Sequence, residues 1–513
     1  MSKHDISMSL GNRGRMNFWE RIAIVMLSMG VMSMLAAFLG KGNKHLMPFL
    51  VGLVSLVIGG ILFERKRNKF KNLSLLIFSV GLISLSFLIF KLDIQARIWL
   101  IWMLGFTIFG ALLYFYQRFG KGLPGIKNNG IFQSETTRPS GTISWFLTIT
   151  FTGFYIMLYW FPGYLHGLIY VTEPFFQWFI GKPAIYYAQD GSIVGYNQWY
   201  LYGFIYTLAV LLMGTRFIFK YRHNRYQKIR TVSVMFFQLV IAFLLPGILA
   251  KLNAQGWQTE SFYFSYFWPL DYDALFPSNL NHMITLGFFG KFVIYWMIIG
   301  AFVAIPIMTY FFGKRWYCSW VCGCGGLAET VGDPFRQLSN KSLKAWQIER
   351  ITIYSVLALI TLITILLLSN WRWDFLTEDF AHALKKGYGF GISSIFAGVI
   401  GTGFYPILGN RVWCRFGCPQ AAVLGILQKY FSRFKITTNG AQCISCGNCS
   451  TYCEMGIDVK YYAQRGQNIV RASCVGCGVC SAVCPRGVLK LENGPVQNRT
   501  TFSLDHASID LFD

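Results

Sequence analysis

The chain has 513 residues, of which 54% are hydrophobic and only 13% are Asp, Glu, Lys or Arg. Soluble proteins average about 25% charged residues, so this composition excludes an ordinary soluble protein. The formal net charge is +24. Because the basic residues lie in short loops between apolar segments, they indicate membrane topology and argue against nucleic-acid binding. We expect no cleavable signal peptide, since the first residues are polar and basic.

Apolar runs of about 20 residues recur along the first 410 positions, and each is long enough to cross a bilayer as a helix. The sequence therefore predicts an α-helical polytopic membrane protein with about ten membrane helices. Their predicted ranges are 21–40, 46–63, 73–90, 98–116, 143–161, 199–219, 231–250, 290–312, 351–369 and 391–408.

Lys and Arg are concentrated in alternate loops between these helices. Residues 64–72 and 220–230 carry five each, whereas 162–198 carries only Lys182 and 251–282 only Lys251. Loops rich in Lys and Arg stay in the cytoplasm. We therefore expect a multi-pass protein of the inner (cytoplasmic) membrane, with both termini and the cysteine-rich C-terminal region in the cytoplasm.

The same patterns divide the chain into five parts. We predict a cytoplasmic segment (1–20), N-terminal membrane helices (21–230), a membrane core with two cysteine repeats (231–434), a cluster domain (435–495) and a tail (496–513).

All 13 cysteines lie between Cys318 and Cys484, and eight of them form two Cys-x2-Cys-x2-Cys-x3-Cys runs offset by 31 residues. This is the spacing of bacterial two-cluster ferredoxins, in which three cysteines of a run hold one [4Fe–4S] cluster and the fourth holds the other. A pair of zinc sites, the alternative, would favour widely separated cysteine pairs. We therefore expect an α+β ferredoxin-like domain with two clusters. The first would be held by Cys443, Cys446, Cys449 and Cys484, and the second by Cys474, Cys477, Cys480 and Cys453.

Three other residues distinguish these runs. Gly447 and Gly478 follow the second cysteine of each run, where the backbone must pass close to inorganic sulfide. Glu454 stands where proline usually follows the fourth cysteine. Its negative charge is expected to make the potential of the neighbouring cluster more negative.

A second repeat, offset by 96 residues, has the pattern Gly-x-Arg-x-aromatic-Cys-x-aromatic-x-Cys, and each copy ends a predicted membrane helix. Four thiolates could meet there and hold an additional metal or cluster, the alternative being packed and redox-inert cysteines. These four residues are Cys318, Cys322, Cys414 and Cys418. Cys324 is an alternative to Cys322 as a ligand. Arg315 and Arg411 either lower the thiol pKa values or hold lipid phosphate.

Two further patterns have alternative interpretations. Residues 420–434 form an amphipathic pattern that suits either docking at the membrane interface or packing beneath the cluster domain. His166 and His282, near Glu173, Asp271 and Asp273, are candidates for a quinone site, because quinol oxidation needs a proton acceptor.

The segments Tyr317–Cys322 and Cys414–Pro419, together with the two four-cysteine runs, resemble those of the NapH/NosR-type membrane polyferredoxins, which include the accessory protein CcoG. The likeness covers roughly residues 230–495. The resemblance implies electron transfer between the quinone pool and a partner redox chain, or support of metalloenzyme maturation. Two departures concern the first repeat, where Gly323 replaces the usual proline and Cys324 is additional.

Taken together, these features predict an electron-transfer subunit of a quinol-dehydrogenase-like oxidoreductase in the lipid bilayer, with two [4Fe–4S] clusters and no catalytic residue of its own. Its partners would be the quinone pool or a membrane protein, and a redox protein. The alternative is an accessory protein for assembly, metal reduction or regulation of a respiratory metalloenzyme. The chain has no Cys-x-x-Cys-His motif for c-type haem and no dinucleotide fingerprint.

Overall fold

The computed structural model of the chain describes residues 104–105, 108–113, 115–116 and 142–494. The predicted membrane helices 21–40, 46–63 and 73–90 lie outside these residues, as do nearly half of 98–116, the segment 1–20 and the tail 496–513.

Long helices make up most of the described chain before the four-cysteine runs. The first group comprises α1 (Thr142–Trp160), α2 (His166–Ile180), α3 (Gln198–Lys220), α4 (Arg225–Ala254), α5 (Pro277–Thr285) and α6 (Gly287–Phe312). The second comprises α7 (Arg315–Cys318), α8 (Gly323–Thr330), α9 (Leu343–Trp373), α10 (Glu378–Tyr388), α11 (Tyr405–Leu408), α12 (Val412–Phe416) and α13 (Pro419–Tyr430). A short hairpin of β1 (Ile185–Tyr187) and β2 (Ile193–Tyr196) precedes α3.

Wide π-helical turns interrupt three of these helices. They occupy Phe237–Leu244 in α4, Gly300–Ala304 in α6 and Gly389–Ile400 after α10. The short helical turn Gly401–Gly403 follows the third of them. Prolines follow each of these wide turns closely, at Pro246, Pro306 and Pro406. Since proline removes a backbone donor and crowds the preceding turn, such irregularities are expected beside it.

Within the described residues, four helices are long and apolar enough to cross a membrane, namely α3, α4, α6 and α9. A fifth results if α1 is counted with the segment that follows its bend. We had predicted six spans in this part of the chain, so that number is too high. The predicted span 391–408 does not form one long helix, because its glycine-rich stretch continues α10 as a π-helical segment and then breaks at Phe404.

The region of the four-cysteine runs mixes strands with short helices. Strands β3 (Phe434–Thr438) and β4 (Leu489–Asn493) pair antiparallel from Phe434 opposite Asn493 to Thr438 opposite Leu489. Between them lie α14 (Asn448–Thr451), α15 (Val459–Gln464) and α16 (Val479–Ala482). This is the α+β arrangement expected of a ferredoxin-like domain.

One hydrophobic core runs from the cysteine repeats into the cluster domain. Ile305, Tyr317 and Leu424, from the helical part, pack in the same buried cluster as Phe434 and Val475, from the cluster domain. Helix α13 contributes its buried face to this junction. The structure thus favours packing beneath the cluster domain for the predicted amphipathic segment 420–434, which is helical over Pro419–Tyr430.

Candidate cysteine and iron–sulfur sites

The eight cysteines of the two runs line two separate cavities. The outer cavity is lined by Cys443, Cys446, Cys449 and Cys484. The inner cavity is lined by Cys474, Cys477, Cys480 and Cys453. Each therefore combines three cysteines of one run with the last cysteine of the other, as in the crossed ferredoxin pattern. Four thiols that surround one small space suit a [4Fe–4S] cluster.

The backbone of the two loops repeats with the same 31-residue offset. Ser445 and Gly476 precede the second cysteine of their runs, and Gly447 and Gly478 follow it. All four have positive φ, between 57° and 79°. Glycine adopts this left-handed conformation at the lowest cost, so the two glycines noted in the sequence occupy positions where the backbone requires them.

The inner loop, residues 472–477, is anchored to the helical part of the chain. Its backbone oxygens accept hydrogen bonds from Lys314 (3.3 Å), Gln428 (2.7 Å), Ser319 (2.9 Å), Tyr226 (2.9 Å) and Gln227 (2.8 Å). The outer loop, residues 443–449, instead bonds to Thr451 and Gln464 of the cluster domain itself. Cys446 of the outer cavity is exposed, whereas Cys474 and Cys480 of the inner cavity are buried. The inner cavity therefore faces the helices and the outer cavity faces solvent.

Burial affects the acidity of the thiols in both cavities. It raises the pKa of Cys449 to about 12 and that of Cys474 to about 11. Because iron binds thiolate and not thiol, cluster assembly at these positions must displace protons.

The second repeat brings five more cysteines together, which we call the membrane-face cysteines because they follow the end of α6 and the end of α11. Cys318 and Cys322 share a buried core with the inner cavity. Cys414 and Cys418 lie in a neighbouring core, and Cys324 packs against both. Within the described residues, no group of three or more His, Cys, Asp or Glu side chains is arranged to hold a single metal ion.

The second cysteine of each pair caps a helix. Cys322 is the N-cap of α8 and Cys418 the N-cap of α13, where its Sγ accepts a hydrogen bond from the Ala421 amide at 3.4 Å. A hydrogen bond from the Cys324 thiol is the main cause that lowers the pKa of Cys322 to about 7, against the effect of burial. A helix N-terminus favours thiolate further. Cys322 is thus the structural equivalent of Cys418, and Cys324 donates a hydrogen bond to Cys322.

The glycine that departs from the family pattern has a steric explanation. A Cβ atom at Gly323 would lie 2.5 Å from the Tyr266 hydroxyl and 3.1 Å from that of Tyr206. A proline ring at this position would therefore collide with two tyrosines. At the second repeat, Pro419 opens α13 and is accommodated.

A buried ion network lies between the inner cavity and the membrane-face cysteines. Asp333 pairs with Arg216, Lys220 and Arg336, Glu454 with Arg336 and Arg411, and Glu329 with Arg230 and Arg411. Five cations and three carboxylates, all at most 8% exposed in their side chains, leave a net charge of +2. Charges of this kind are retained in an interior only when paired.

Two arginines of this network reach cysteine thiols. Arg336 Nη1 lies 3.8 Å from Cys477 Sγ, and Arg411 Nη1 lies 3.6 Å from Cys414 Sγ. Sequence analysis missed Arg336, because a basic residue in the loop 313–350 looks like a topology signal. The spacing of Asp333 and Arg336, three residues apart on a helical turn, was the one available clue.

The structure shows what surrounds Glu454. Burial alone would raise the pKa of its carboxyl, but Arg336, Arg411 and Arg230 lower that pKa to about 2. The carboxylate is therefore charged and lies inside a network whose net charge is positive. Its effect on the potential of the neighbouring cluster stays a prediction.

Arg315 and Arg411 are equivalent in sequence but not in structure. Arg411 is buried and contacts Cys414, and its charge opposes the rise in the pKa of the Cys414 thiol that burial causes. Arg315 instead bonds the Phe312 carbonyl and stacks on Phe434. Only Arg411 therefore acts on a thiol as predicted.

The two candidate histidines have different immediate neighbours. His282 is half-exposed and pairs with Glu260 at 2.6 Å, a residue that the sequence analysis did not consider. His166 stacks on Tyr170. Asp271 interacts with Asp273, which pairs with Lys385 at 3.9 Å.

Known proteins are similar to two parts of the chain. A 4Fe–4S binding domain model matches residues 293–342 and 389–439, so it covers the two copies of the cysteine-pair repeat, and a 4Fe–4S dicluster domain model matches residues 442–489. YccM of Escherichia coli (strain K12), named as a candidate electron transport protein, is 28% identical over 165 residues. This match covers 31% of the present chain and 45% of YccM. No solved structure matches.

These matches and the cysteine geometry agree. The chain carries 4Fe–4S binding domains, with a ferredoxin-like C-terminal region, and several of its described helices are apolar enough to cross a membrane.

Proposed function

We propose that this chain transfers electrons between a redox partner protein and either the quinone pool or a membrane partner, in the manner of the NapH/NosR-type proteins. The observation that carries the proposal is the inner cavity, whose four cysteines share a core with Cys318 and Cys322, while Cys446 of the outer cavity is exposed to solvent. The centres thus form a series from the helical part of the chain to its surface.

Two [4Fe–4S] clusters are the proposed carriers. The outer cluster takes Cys443, Cys446, Cys449 and Cys484, and the inner cluster takes Cys474, Cys477, Cys480 and Cys453. Such clusters accept and donate single electrons. The protein holds the inner loop rigidly through five side-chain hydrogen bonds and places Arg336 beside Cys477, which favours the more negative, reduced state of that site.

A third centre at Cys318, Cys322, Cys414 and Cys418 remains part of the proposal. The two cysteine pairs lie in neighbouring buried cores, and the two N-cap positions favour Cys322 over Cys324 as the ligand. Thiolate ligands suit an iron–sulfur cluster and also Cu(I). This second possibility corresponds to the accessory role in metalloenzyme assembly.

The basic loops support an orientation with the cluster domain and both termini in the cytoplasm of an inner-membrane protein. In that orientation, the exposed outer cluster would meet a soluble cytoplasmic redox partner. The junction near residue 434 would be the boundary between the membrane part (231–434) and the cluster domain (435–495). Residues of both parts pack in one hydrophobic cluster.

Anaerobic purification followed by iron and sulfide analysis tests the carriers. Two clusters predict about eight irons and eight sulfides per chain, four of each per cluster. A third cluster predicts a clear excess that Cys414→Ser removes and that the control Cys324→Ser leaves in place. Copper in place of that excess would favour the assembly role.

A quinol analogue added anaerobically tests the electron source. We expect the visible absorbance of the clusters to bleach as they are reduced. The loss of absorbance should be larger for quinols of more negative potential. Two results together would contradict a role with the quinone pool. The clusters would stay oxidised at every quinol potential, and reduced clusters would not convert quinone to quinol.

A further inference from the structure

A cavity of about 140 Å³ lies beside the membrane-face cysteines and between candidate membrane-spanning helices. Tyr155 and Tyr159 of α1 and Tyr202 and Tyr206 of α3 form one part of its wall. Cys324 and Cys414 form another part. With Tyr266 and Tyr405, six tyrosines line this space, which we call the tyrosine cavity. No function described above uses it.

Two buried polar atoms at the tyrosine cavity have no hydrogen-bond partner. They are the indole Nε1 of Trp413, a donor, and the amide Oδ1 of Asn410, an acceptor. Asn410 is fully buried and Trp413 is 7% exposed. The Asn410 Nδ2 donates to the Ala328 carbonyl at 2.7 Å and to Glu454 at 3.3 Å, so the orientation of the amide is fixed. A buried polar atom without a partner is costly, so these two atoms point to a polar ligand.

The walls define the body of that ligand. The rings of Tyr155 and Tyr202 lie 6.2 Å apart and those of Tyr202 and Tyr206 5.9 Å apart, which makes an aromatic surface. The opposite wall includes Ala397, Gly398 and Gly401, which carry a methyl group or no side chain. A Cβ atom at Gly398 would already lie 3.1 Å from the Tyr159 hydroxyl. Such a space suits a flat ring that carries oxygen atoms at its edge.

We propose that the tyrosine cavity binds the ring of a quinone or quinol. The Trp413 N–H donates to a ring oxygen of either form, and the Asn410 carbonyl accepts from a hydroxyl of the quinol. This inference rests on the proposed function and gives that function a binding site. It places the ring against Cys324 and Cys414, on the membrane-face cysteines, and not at His166 or His282.

A photoactivatable azido-quinone that binds the purified full-length protein tests the site. We expect the label on peptides that contain Tyr155, Tyr202 or Trp413, and competition by an unlabelled short-chain quinone. The dissociation constant should rise at least tenfold in Ala397→Phe, whose new ring fills the cavity. The matched control Val399→Phe adds the same ring on the same helical segment, outside the cavity lining, and should bind as the native chain does.

Trp413→Phe provides a second test that keeps an aromatic ring at this position and removes the N–H donor. Because it removes a single N–H donor, we expect binding to weaken about fivefold to tenfold. The cluster absorbance and the thermal transition of each variant should match those of the native chain, which separates loss of binding from loss of fold.

The outcomes distinguish the two levels of the proposal. Tight quinone binding with the label on other peptides, or equal affinity in Ala397→Phe and Val399→Phe, would show that the tyrosine cavity holds only water and would leave the quinone role standing. No binding of any quinone to the native protein would overturn the quinone role and this site together.

Discussion

At the scale of single residues, Arg336 and Arg411 decide the electrostatics around the cysteines. They bind the two oxygens of Glu454, at 2.6 and 3.0 Å, and each also contacts a thiol. A reduced cluster carries one more negative charge than an oxidised one, so cations beside its ligands raise its potential. The network thus links the environment of Cys477 with that of Cys414 through one carboxylate.

We predict that Glu454→Gln raises the potential of the inner cluster. The substitution increases the net charge of the network from +2 to +3, whereas the double variant Arg336→Met/Glu454→Gln returns it to +2 and should reverse the shift. An interaction of about 1.4 kcal/mol corresponds to about 59 mV for one electron, so we expect a shift on the order of 60 mV in a redox titration followed by electron paramagnetic resonance.

Glu492→Gln on β4 is the control for this titration, since that carboxylate belongs to the same domain but not to the network. A lower potential in Glu454→Gln would refute the electrostatic assignment, because it would mean that the carboxylate does not offset the arginines.

The two loop glycines offer a comparison of backbone strain with crowding. Gly447 and Gly478 both have left-handed backbones, but a Cβ atom at Gly447 meets nothing within 4 Å, whereas one at Gly478 lies 2.9 Å from Tyr226. We predict that Gly447→Ala destabilises the loaded protein by about 1 kcal/mol, the cost of the left-handed backbone. Gly478→Ala should cost more, as seen in iron release during thermal denaturation. Equal losses in the two variants would argue against the Tyr226 contact.

At the scale of elements, the long segment between α4 and α5 contains a half-buried carboxyl group, that of Asp271. Burial, and then the neighbouring Asp273, raises the pKa of Asp271 to about 7. Its pKa in the unfolded chain is about 3.9. The folded state therefore prefers protonated Asp271, so its contribution to stability is full below about pH 3.9 and is lost as the pH rises through about 7.

We accordingly predict that the thermal transition falls as the pH is raised from 5 to 8, and that Asp271→Asn flattens this dependence. Each unit of pKa difference corresponds to about 1.4 kcal/mol. Differential scanning of both proteins in one detergent measures the effect, and Asp190→Asn in the exposed β1–β2 turn is the control. An unchanged pH profile in Asp271→Asn would rule out this carboxyl as its source.

The elements also show how far the sequence could predict the structure. The crossed pairing of the cysteines stays a prediction from the ferredoxin spacing, and the two cavities group the cysteines in the same way. The left-handed backbone of Gly447 and Gly478 was not predicted. The span at 391–408 was wrong, since hydropathy does not register a break at Phe404. Equally, the contact between Gly323 and Tyr266 joins positions 57 residues apart in sequence, and no local pattern contains it.

At the scale of the whole molecule, the cluster domain depends on the helical part of the chain. Five side chains outside the domain bond the backbone of the inner loop, and Tyr317 and Leu424 pack in the same core. We predict that a fragment of residues 435–494 aggregates, or retains the outer cluster only. Iron analysis and size-exclusion chromatography would reveal this, with the full chain in detergent as the reference.

A soluble, monomeric fragment that keeps about eight irons and the spectrum of the full chain would contradict this prediction. In that case the shared core would be a contact between two independently stable parts.

The shared core has a consequence for speed. In many redox systems, a carrier domain on a flexible tether swings between donor and acceptor, and the swing sets the rate. Here the cysteines of the inner cavity pack in one core with Cys318 and Cys322, so their separation cannot vary with such a motion. Transfer between them would be insensitive to solvent viscosity, and the viscosity-dependent event would be the arrival of the soluble partner at the outer cavity.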